Sequence, residues 1–221
     1  MATVDEVRTE LAALEDPRQR EVNERHGDDH GVNLTKLRAV AKKLGTDPAL
    51  SRELWETGET PMRLVALLIT KPRNFTADEL DGMLRDTGIP KVVDWLVNYI
   101  VKPGPHVEEL RRRWIDDEDA TVSGAGWALT AHTVTKKPDL LDLPAVLDVI
   151  ESDMKAAPGR RQWEMNTTLA MIGIHHPDLR TRAIDIGERL EVLKDYPTPP
   201  NCTSPFAPAW IGEMVSRQGR G

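Results

Sequence analysis

One segment near the middle of the chain carries polar side chains at a spacing that could serve a site. Asp94 and Asn98 lie four positions apart, so a helix places both on one face, and Lys91 lies one turn before Asp94. This face could line a groove, in which Asp94 would be the residue able to act in catalysis. The alternative is the solvated side of an amphipathic helix whose other side is Val92, Leu96, Val97 and Ile100.

The densest positive run is a set of three consecutive arginines, which are the best candidates for phosphate contacts: Arg111, Arg112 and Arg113. Neighbouring residues of a helix point about 100° apart, so one or two of the three at most face the same phosphate backbone. Other basic residues support the run, namely Lys102, Lys136, Lys137, Arg160 and Arg161. A solvated surface run is the alternative, and the acids that follow favour it: Asp116, Asp117, Glu118 and Asp119.

The run from His26 to His30, HGDDH, offers nitrogen and oxygen atoms of the kind that bind metals. Its glycine and its place before a helix favour a turn in which Asp28 or Asp29 binds backbone donors. The sequence therefore predicts no metal site. It also contains no phosphate-binding glycine loop, no nucleophile elbow and no paired-cysteine zinc motif, and no cofactor is expected.

The elements that must position these residues are helices. Proline and glycine punctuate the chain at short intervals, and Thr76 with Glu79 makes a capping box. The predicted helices span 3–14, 17–26, 33–44, 48–57, 60–70, 76–87, 90–101, 105–116, 119–135, 143–157, 160–174, 177–192 and 207–217.

The spacing of these helices predicts a repeat. Pairs starting near 60 and 76, 90 and 105, and 119 and 143 recur at roughly 30 residues, a length typical of helical-hairpin arrays. We therefore expect an all-α, HEAT-like solenoid of stacked antiparallel helix pairs with a concave groove. Residues 1–195 form this domain, and the proline-rich strap and capping helix of 196–221 pack on it.

Composition narrows the class of protein. Phe and Tyr number two each, too few for a typical sheet protein, and the formal net charge of −7 argues against coating of nucleic acid over the whole surface. A local basic face remains compatible with this balance. One cysteine excludes an internal disulfide, and no signal peptide or membrane span is found. We expect a cytoplasmic monomer that does not contact membranes.

Five segments carry a resemblance to a known family: GVN to LLI (31–69), VVDWLVNYIV (92–101), GWALT (126–130), EMNTTLAMIGI (164–174) and NCTSPFAPAWI (201–211). In order and spacing they resemble the HEAT-like DNA alkylation repair family, the AlkD-like alkylpurine DNA glycosylases, over roughly residues 20–215. The resemblance implies a curved stack of helix pairs whose concave, basic face holds duplex DNA. It also implies an aspartate and two tryptophans on that face that excise cationic alkylated purines, for which a carboxylate near the sugar suffices.

The functional residues of the family match poorly. The resemblance places Asp94 at the first tryptophan, Asn98 at the catalytic aspartate and Gly124 at an arginine. The second tryptophan falls near Ala170. Asn98 is neutral and lacks the charge of a carboxylate, so the chain resembles a divergent member. Trp95, Trp127 and Trp163 lie near these positions and could compensate, although core packing is the alternative for each.

These observations predict a DNA alkylation repair family protein that binds duplex DNA in its groove, with excision of alkylated purines as a further activity. Its catalytic residues would be Asp94 and Asn98. Its DNA contacts would be Lys91, Trp95, Arg111, Arg112, Arg113, Trp127, Arg160, Arg161 and Trp163. The alternative is a noncatalytic helical-repeat scaffold that binds a protein or a small ligand.

Overall fold

The computed structural model describes residues 2–219, which form thirteen α-helices, as the sequence predicts. Each predicted boundary agrees with the structure to within about four residues, when α7 is taken together with the π-helix that continues it to Val101. The helices are α1 (Val4–Ala12), α2 (Pro17–Glu24), α3 (Leu34–Leu44), α4 (Pro48–Glu56), α5 (Thr60–Leu68), α6 (Ala77–Arg85), α7 (Pro90–Trp95), α8 (Val107–Trp114), α9 (Ala120–Lys136), α10 (Leu143–Asp153), α11 (Gly159–His175), α12 (Pro177–Leu190) and α13 (Ala207–Gln218).

Helix starts follow the capping rules that the sequence suggests. Thr76 accepts the backbone N–H of Glu79 at 3.2 Å, and the Glu79 carboxylate accepts the backbone N–H of Thr76 at 2.7 Å. Asp47 caps α4, whose first residue is a proline, by accepting the N–H of Leu50. Each cap binds donors that the first helical turn leaves open, so these helices begin at fixed residues.

The predicted helical stretch 90–101 has the predicted bounds, but it is not α-helical throughout. α7 ends at Trp95, and Leu96–Val101 continues it as a π-helix. The N–H of Lys102 accordingly reaches the carbonyl of Val97, five residues back, at 2.8 Å. Neither proline nor glycine occurs between 91 and 102, so the sequence carries no punctuation that signals the wider turn.

The described chain divides into two compact units, residues 2–107 and 108–219. In the first unit, alternate helices stack on one another: α1 on α3, α3 on α5, and α5 on α7, while α4 packs beside α5. The core between them includes Leu37, Leu54 and Leu64, none of which is exposed. Stacking of alternate helices is the arrangement expected of helical-hairpin arrays.

The second unit repeats this pattern. α9 packs along α11 and α11 along α13, while α10 packs on α12. Gly126 in α9 allows a close approach, because a Cβ atom there would lie 2.6 Å from the backbone nitrogen of Ile115. The unit's core includes Trp127, Leu147 and Leu169.

The proline-rich tail leads into the last helix. The Asn166 side chain donates to the carbonyl of Pro205 at 2.8 Å, and the side chain of Ile211 packs against Gly173. Ile211 is fully buried, as expected of an anchor for the predicted helix over 207–217.

Within residues 2–219 the extended structure amounts to an isolated bridge between Glu15 and Val32. No helix in this part of the chain is both long and apolar enough to cross a membrane.

Candidate nucleic-acid interface

A cation and two aromatic rings meet where α3 faces α7 in the first unit. The Arg38 guanidinium lies over the Trp95 ring, 4.8 Å from its centroid, and donates to the Tyr99 hydroxyl at 3.2 Å. The rings of Trp95 and Tyr99 are 5.1 Å apart and tilted by 52°. Trp95 is 6% exposed and Tyr99 39%. Arg38 has no carboxylate partner among residues 2–219, so its charge is free to bind an anion.

Sequence reasoning missed Arg38, although a signal was present. The sequence of α3, LTKLRAVAKKL, contains four basic residues and no acidic one. Arg38 and Lys42 lie one turn apart on an exposed face, whereas Lys43 is paired with Glu10. A helix of uniform positive charge in a chain of net charge −7 indicates a local surface for an anionic partner.

The predicted catalytic pair lies on the neighbouring helix. Asp94 is half-buried near the end of α7, and Asn98 is exposed in the π-helical segment. The Asn98 amide nitrogen donates to the backbone carbonyl of Asp94 at 2.8 Å, and its oxygen accepts from Lys102 at 2.8 Å. Both polar atoms of Asn98 are thus engaged within its own helix, which gives the residue a structural role.

Lys91 is the second residue of α7, whose first residue, Pro90, lies next to the loop that contains HGDDH. Gly27 adopts a φ of 82°, and a Cβ there would touch the ring of Pro90. Asp28 is 4% exposed, and burial raises its pKa while the nearby Lys91 ammonium opposes that shift. Burial lowers the pKa of His30, whose Nδ1 accepts the N–H of Val32.

Metal binding by this loop has no support. Among residues 2–219, no three histidine, cysteine or acidic side chains come together in a way that would hold an ion. A site with fewer than three protein ligands is not typical of structural or catalytic zinc.

The three consecutive arginines of α8 are engaged with acids of the same helix. Both Nε and Nη2 of Arg111 donate to the Glu108 carboxylate, at 2.7 and 2.8 Å, and Arg112 donates to it at 2.6 Å. The side chain of Arg111 is only 11% exposed. These bonds lower the pKa of Glu108 to about 2, chiefly through Arg111. The geometry therefore does not favour phosphate contact by Arg111, and the three arginines form ion pairs within their own helix.

The other predicted basic pair begins α11. Arg160 and Arg161 are both partly buried, and Arg160 lies 3.9 Å from Glu164. The stem of Arg160 packs across Gly124 of α9, where an added Cβ would lie 2.8 Å from Arg160 Cγ. Thus Arg160 occupies the space that a side chain at position 124 would need.

Comparison with known proteins identifies the family. The sequence model of the DNA alkylation repair enzyme family matches residues 7–211. The chain belongs to this family. The chain is also similar to the uncharacterized protein Lin0241 of Listeria innocua and to the uncharacterized protein Lmo0209 of Listeria monocytogenes. Each is 22% identical over 227 residues, covering 98% of this chain and 99% of the relative.

A solved structure shows the fold. It is described as "a new family of proteins related to the HEAT-like repeat DNA glycosylases with affinity for branched DNA structures", and it superposes with a TM-score of 0.78 at 20% identity. The match covers 98% of this chain and 95% of that structure. The predicted all-α, HEAT-like repeat fold is thereby confirmed.

Two of the tryptophans considered for the family's functional positions lie in different environments. Trp127 is 2% exposed in the core of the second unit, which excludes it from a DNA-contacting surface and supports the core-packing alternative. Ala170, where the second family tryptophan was expected, is fully buried as well. Trp163, which lies on α11 as Ala170 does, is 37% exposed and contacts the Tyr196 ring edge-on, with centroids 5.1 Å apart.

Proposed function

We propose that this protein of the DNA alkylation repair family binds DNA, with branched DNA as its preferred form. The observation that carries the proposal is the Arg38 guanidinium, held against Trp95 and Tyr99 without a carboxylate partner in the described chain. A planar guanidinium fixed on an aromatic surface is oriented to bind a phosphate through two N–H groups. The solved relative with affinity for branched DNA supports the choice of DNA form.

The proposed contacts fall on both units. In the first unit they are Arg38, Lys42, Lys91 and Tyr99, and in the second they are Arg160, Arg161 and Trp163. Arginines and lysines would bind phosphates without regard to sequence, and the exposed rings would stack on sugars or unpaired bases. Trp95, being buried beneath Arg38, orients that side chain. The contribution of Arg112 and Arg113 would be smaller, because acids of α8 hold them.

The test is binding of a three-way junction and of a linear duplex of the same arm sequence, measured by fluorescence anisotropy at several salt concentrations. We expect tighter binding to the junction and an affinity for both that falls steeply with salt, because phosphate contacts release counterions. Equal affinity for the two forms would remove the preference for branches. Absence of binding even at low salt would leave the noncatalytic scaffold for a protein or small ligand.

Excision of alkylated purines is a second proposal, favoured by the position of Asp94 one residue before Trp95 on α7. The sugar of a leaving cationic purine develops positive charge, which a carboxylate stabilises. We expect base release from DNA carrying a methylated purine to be lost in Asp94→Asn and kept in Asn98→Ala. Equal activity of wild type and Asp94→Asn would rule out a catalytic role for this carboxylate.

A further inference from the structure

A cavity of about 470 Å³ lies between α4 and α6 in the first unit. This volume is within the range of small-molecule sites in proteins. Its walls include Trp55, Phe75, Met83, Glu56, Asp86 and Gly82. Neither α3 nor α7 contributes a residue to the walls within the described chain, so the cavity is separate from the surface of Arg38 and Tyr99.

The floor of the cavity is aromatic. Trp55 and Phe75 are each 6% exposed, and each has an arginine over its ring. Arg63 lies 4.7 Å from the Trp55 centroid, and Arg52 lies 5.3 Å from that of Phe75. Met83 adds a flexible, polarizable side chain next to them. Such a floor suits the apolar body of a ligand.

Two ion pairs hold the walls in place. Arg52 of α4 donates to the Glu79 carboxylate of α6 at 3.0 Å and to the carbonyl of Asn74 at 2.8 Å. Arg63 is 8% exposed and donates to both the backbone carbonyl and the carboxylate of Asp86. Arg52 thus ties α4 to α6, and Arg63 ties α5 to the end of α6. Because both ties exist in the protein alone, the cavity is formed before any ligand arrives, which lowers the entropy lost on binding.

The charge of the lining is negative. Three carboxylates, those of Glu56, Glu79 and Asp86, face one lining guanidinium, that of Arg52. Arg63, behind the wall, balances Asp86, and Arg52 balances Glu79. The Glu56 side chain is exposed and makes no hydrogen bond or ion pair with any residue in the range 2–219. One negative charge is therefore uncompensated, and phosphate would be repelled here.

We propose that this cavity binds a small organic monocation with an apolar or aromatic body. Its amine or guanidine group would pair with the Glu56 carboxylate, and its body would lie on Trp55, Phe75 and Met83. The shared chemistry fits either a free amine or the cationic side chain of a peptide. The site is independent of DNA binding, because nucleic acid is negatively charged and the proposed ligand is positively charged.

The test is titration of the ¹⁵N-labelled full chain with three probes, followed by NMR shifts of the Gly82 amide and the Trp55 indole. Phenethylamine represents a free amine, a capped Gly-Arg-Gly tripeptide represents a peptide side chain, and phenethyl alcohol is the neutral control. We expect saturable shifts with at least one cation and weaker binding of the alcohol. The cation that binds more tightly assigns the source.

Two variants and a matched control locate the site. Gly82→Leu should abolish binding, because the leucine side chain would fill the cavity. The variant should still fold, since a Cβ at Gly82 meets nothing within 4 Å. Gly212→Leu, in an equally open position of α13, should bind as wild type does. Glu56→Gln should weaken cation binding about tenfold, since a hydrogen bond to a charged group is worth that much.

Three results would overturn the proposal. The first is the absence of a saturable shift with either cation. The second is equal binding of phenethyl alcohol and phenethylamine. The third is unchanged binding in Gly82→Leu when thermal melts show that the variant is folded. Each of these is independent of the DNA titrations, because the probes carry no phosphate. Failure of DNA binding would leave the cavity proposal intact.

Discussion

Two helices carry clusters of basic residues, and they hold their charges in opposite ways. α8 contains three consecutive arginines, two of which share the carboxylate of Glu108 on the same helix. α3 contains four basic residues and no acid, and its Arg38 instead lies over the Trp95 ring and donates to the Tyr99 hydroxyl. The denser run is thus the more neutralised one. What decides the availability of a cation for an anionic partner is the carboxylate within its reach rather than the number of neighbouring cations.

The first prediction concerns the close packing of α9 against the end of α8, which does not involve the basic residues of α3. Gly126→Ala should lower the free energy of unfolding by about 3 kcal/mol, because the new methyl group meets the backbone of Trp114 and Ile115 at the end of α8. Urea denaturation followed by circular dichroism measures it. Gly212→Ala is the control, since its Cβ meets nothing within 4 Å, and it should be neutral or stabilising by up to about 1 kcal/mol. Equal stability of the two variants would contradict the close approach.

The second prediction compares the two clusters directly. Arg38→Ala should weaken DNA binding about tenfold at low salt and reduce the slope of log affinity against log salt by about 1. Arg112→Ala should change the affinity by less than about twofold, because Glu108 already holds that guanidinium. Anisotropy titrations of both variants give the answer. A larger loss for Arg112→Ala would reverse the comparison and restore α8 as the main phosphate contact.

The third prediction concerns the pH dependence of α8. The pKa of Glu108 falls from 4.5 to about 2 on folding, so the unfolded chain takes up this proton first as the pH drops. Its stabilisation is therefore complete above pH 4.5 and is lost as the pH falls toward 2. Glu108→Gln should be less stable than wild type by about 1 kcal/mol at neutral pH, with the partial exposure of the pair limiting the effect. A difference that persists unchanged near pH 2 would exclude the ion pair as its cause.

The smallest expected effect tests the hydrogen bond on the Arg38 surface. Tyr99→Phe removes the hydroxyl that accepts from Arg38 and keeps the ring, so DNA affinity should fall by about twofold or less. Tyr99→Ala should cost more, because the stacking surface goes with the hydroxyl. If both variants bind equally, the ring itself contributes nothing to DNA binding.

Much of the fold could be predicted because its signals are local. Prolines and glycines between helices, the capping box of Thr76 and the spacing of apolar residues all act over a few turns at most. Together such local signals predicted the thirteen helices of the described chain. The π-helical turn at Leu96–Val101 was missed, because its wider hydrogen-bonding pattern leaves no mark in residue type.

The site was harder to predict because it depends on contacts between helices. Arg38 gains its role from Tyr99, sixty-one positions later in the chain. Trp127 and Trp163 look alike in sequence, yet one is buried in the core and the other is exposed beside Tyr196. The positive charge of α3 can be predicted from its sequence alone. The ion pairs of α8 cannot, because acids three and four positions from an arginine on a helix can also point away from it.

The wide turn that follows Trp95 affects how residues are transferred between relatives. Its hydrogen-bonded ring holds one residue more than an α-helical ring does. A relative whose backbone stays α-helical there reaches the same point on the surface with one residue fewer. An ungapped alignment of two such sequences therefore pairs non-equivalent residues after this turn. A one-residue gap inside the helix, where alignments seldom place one, would pair the equivalent residues again.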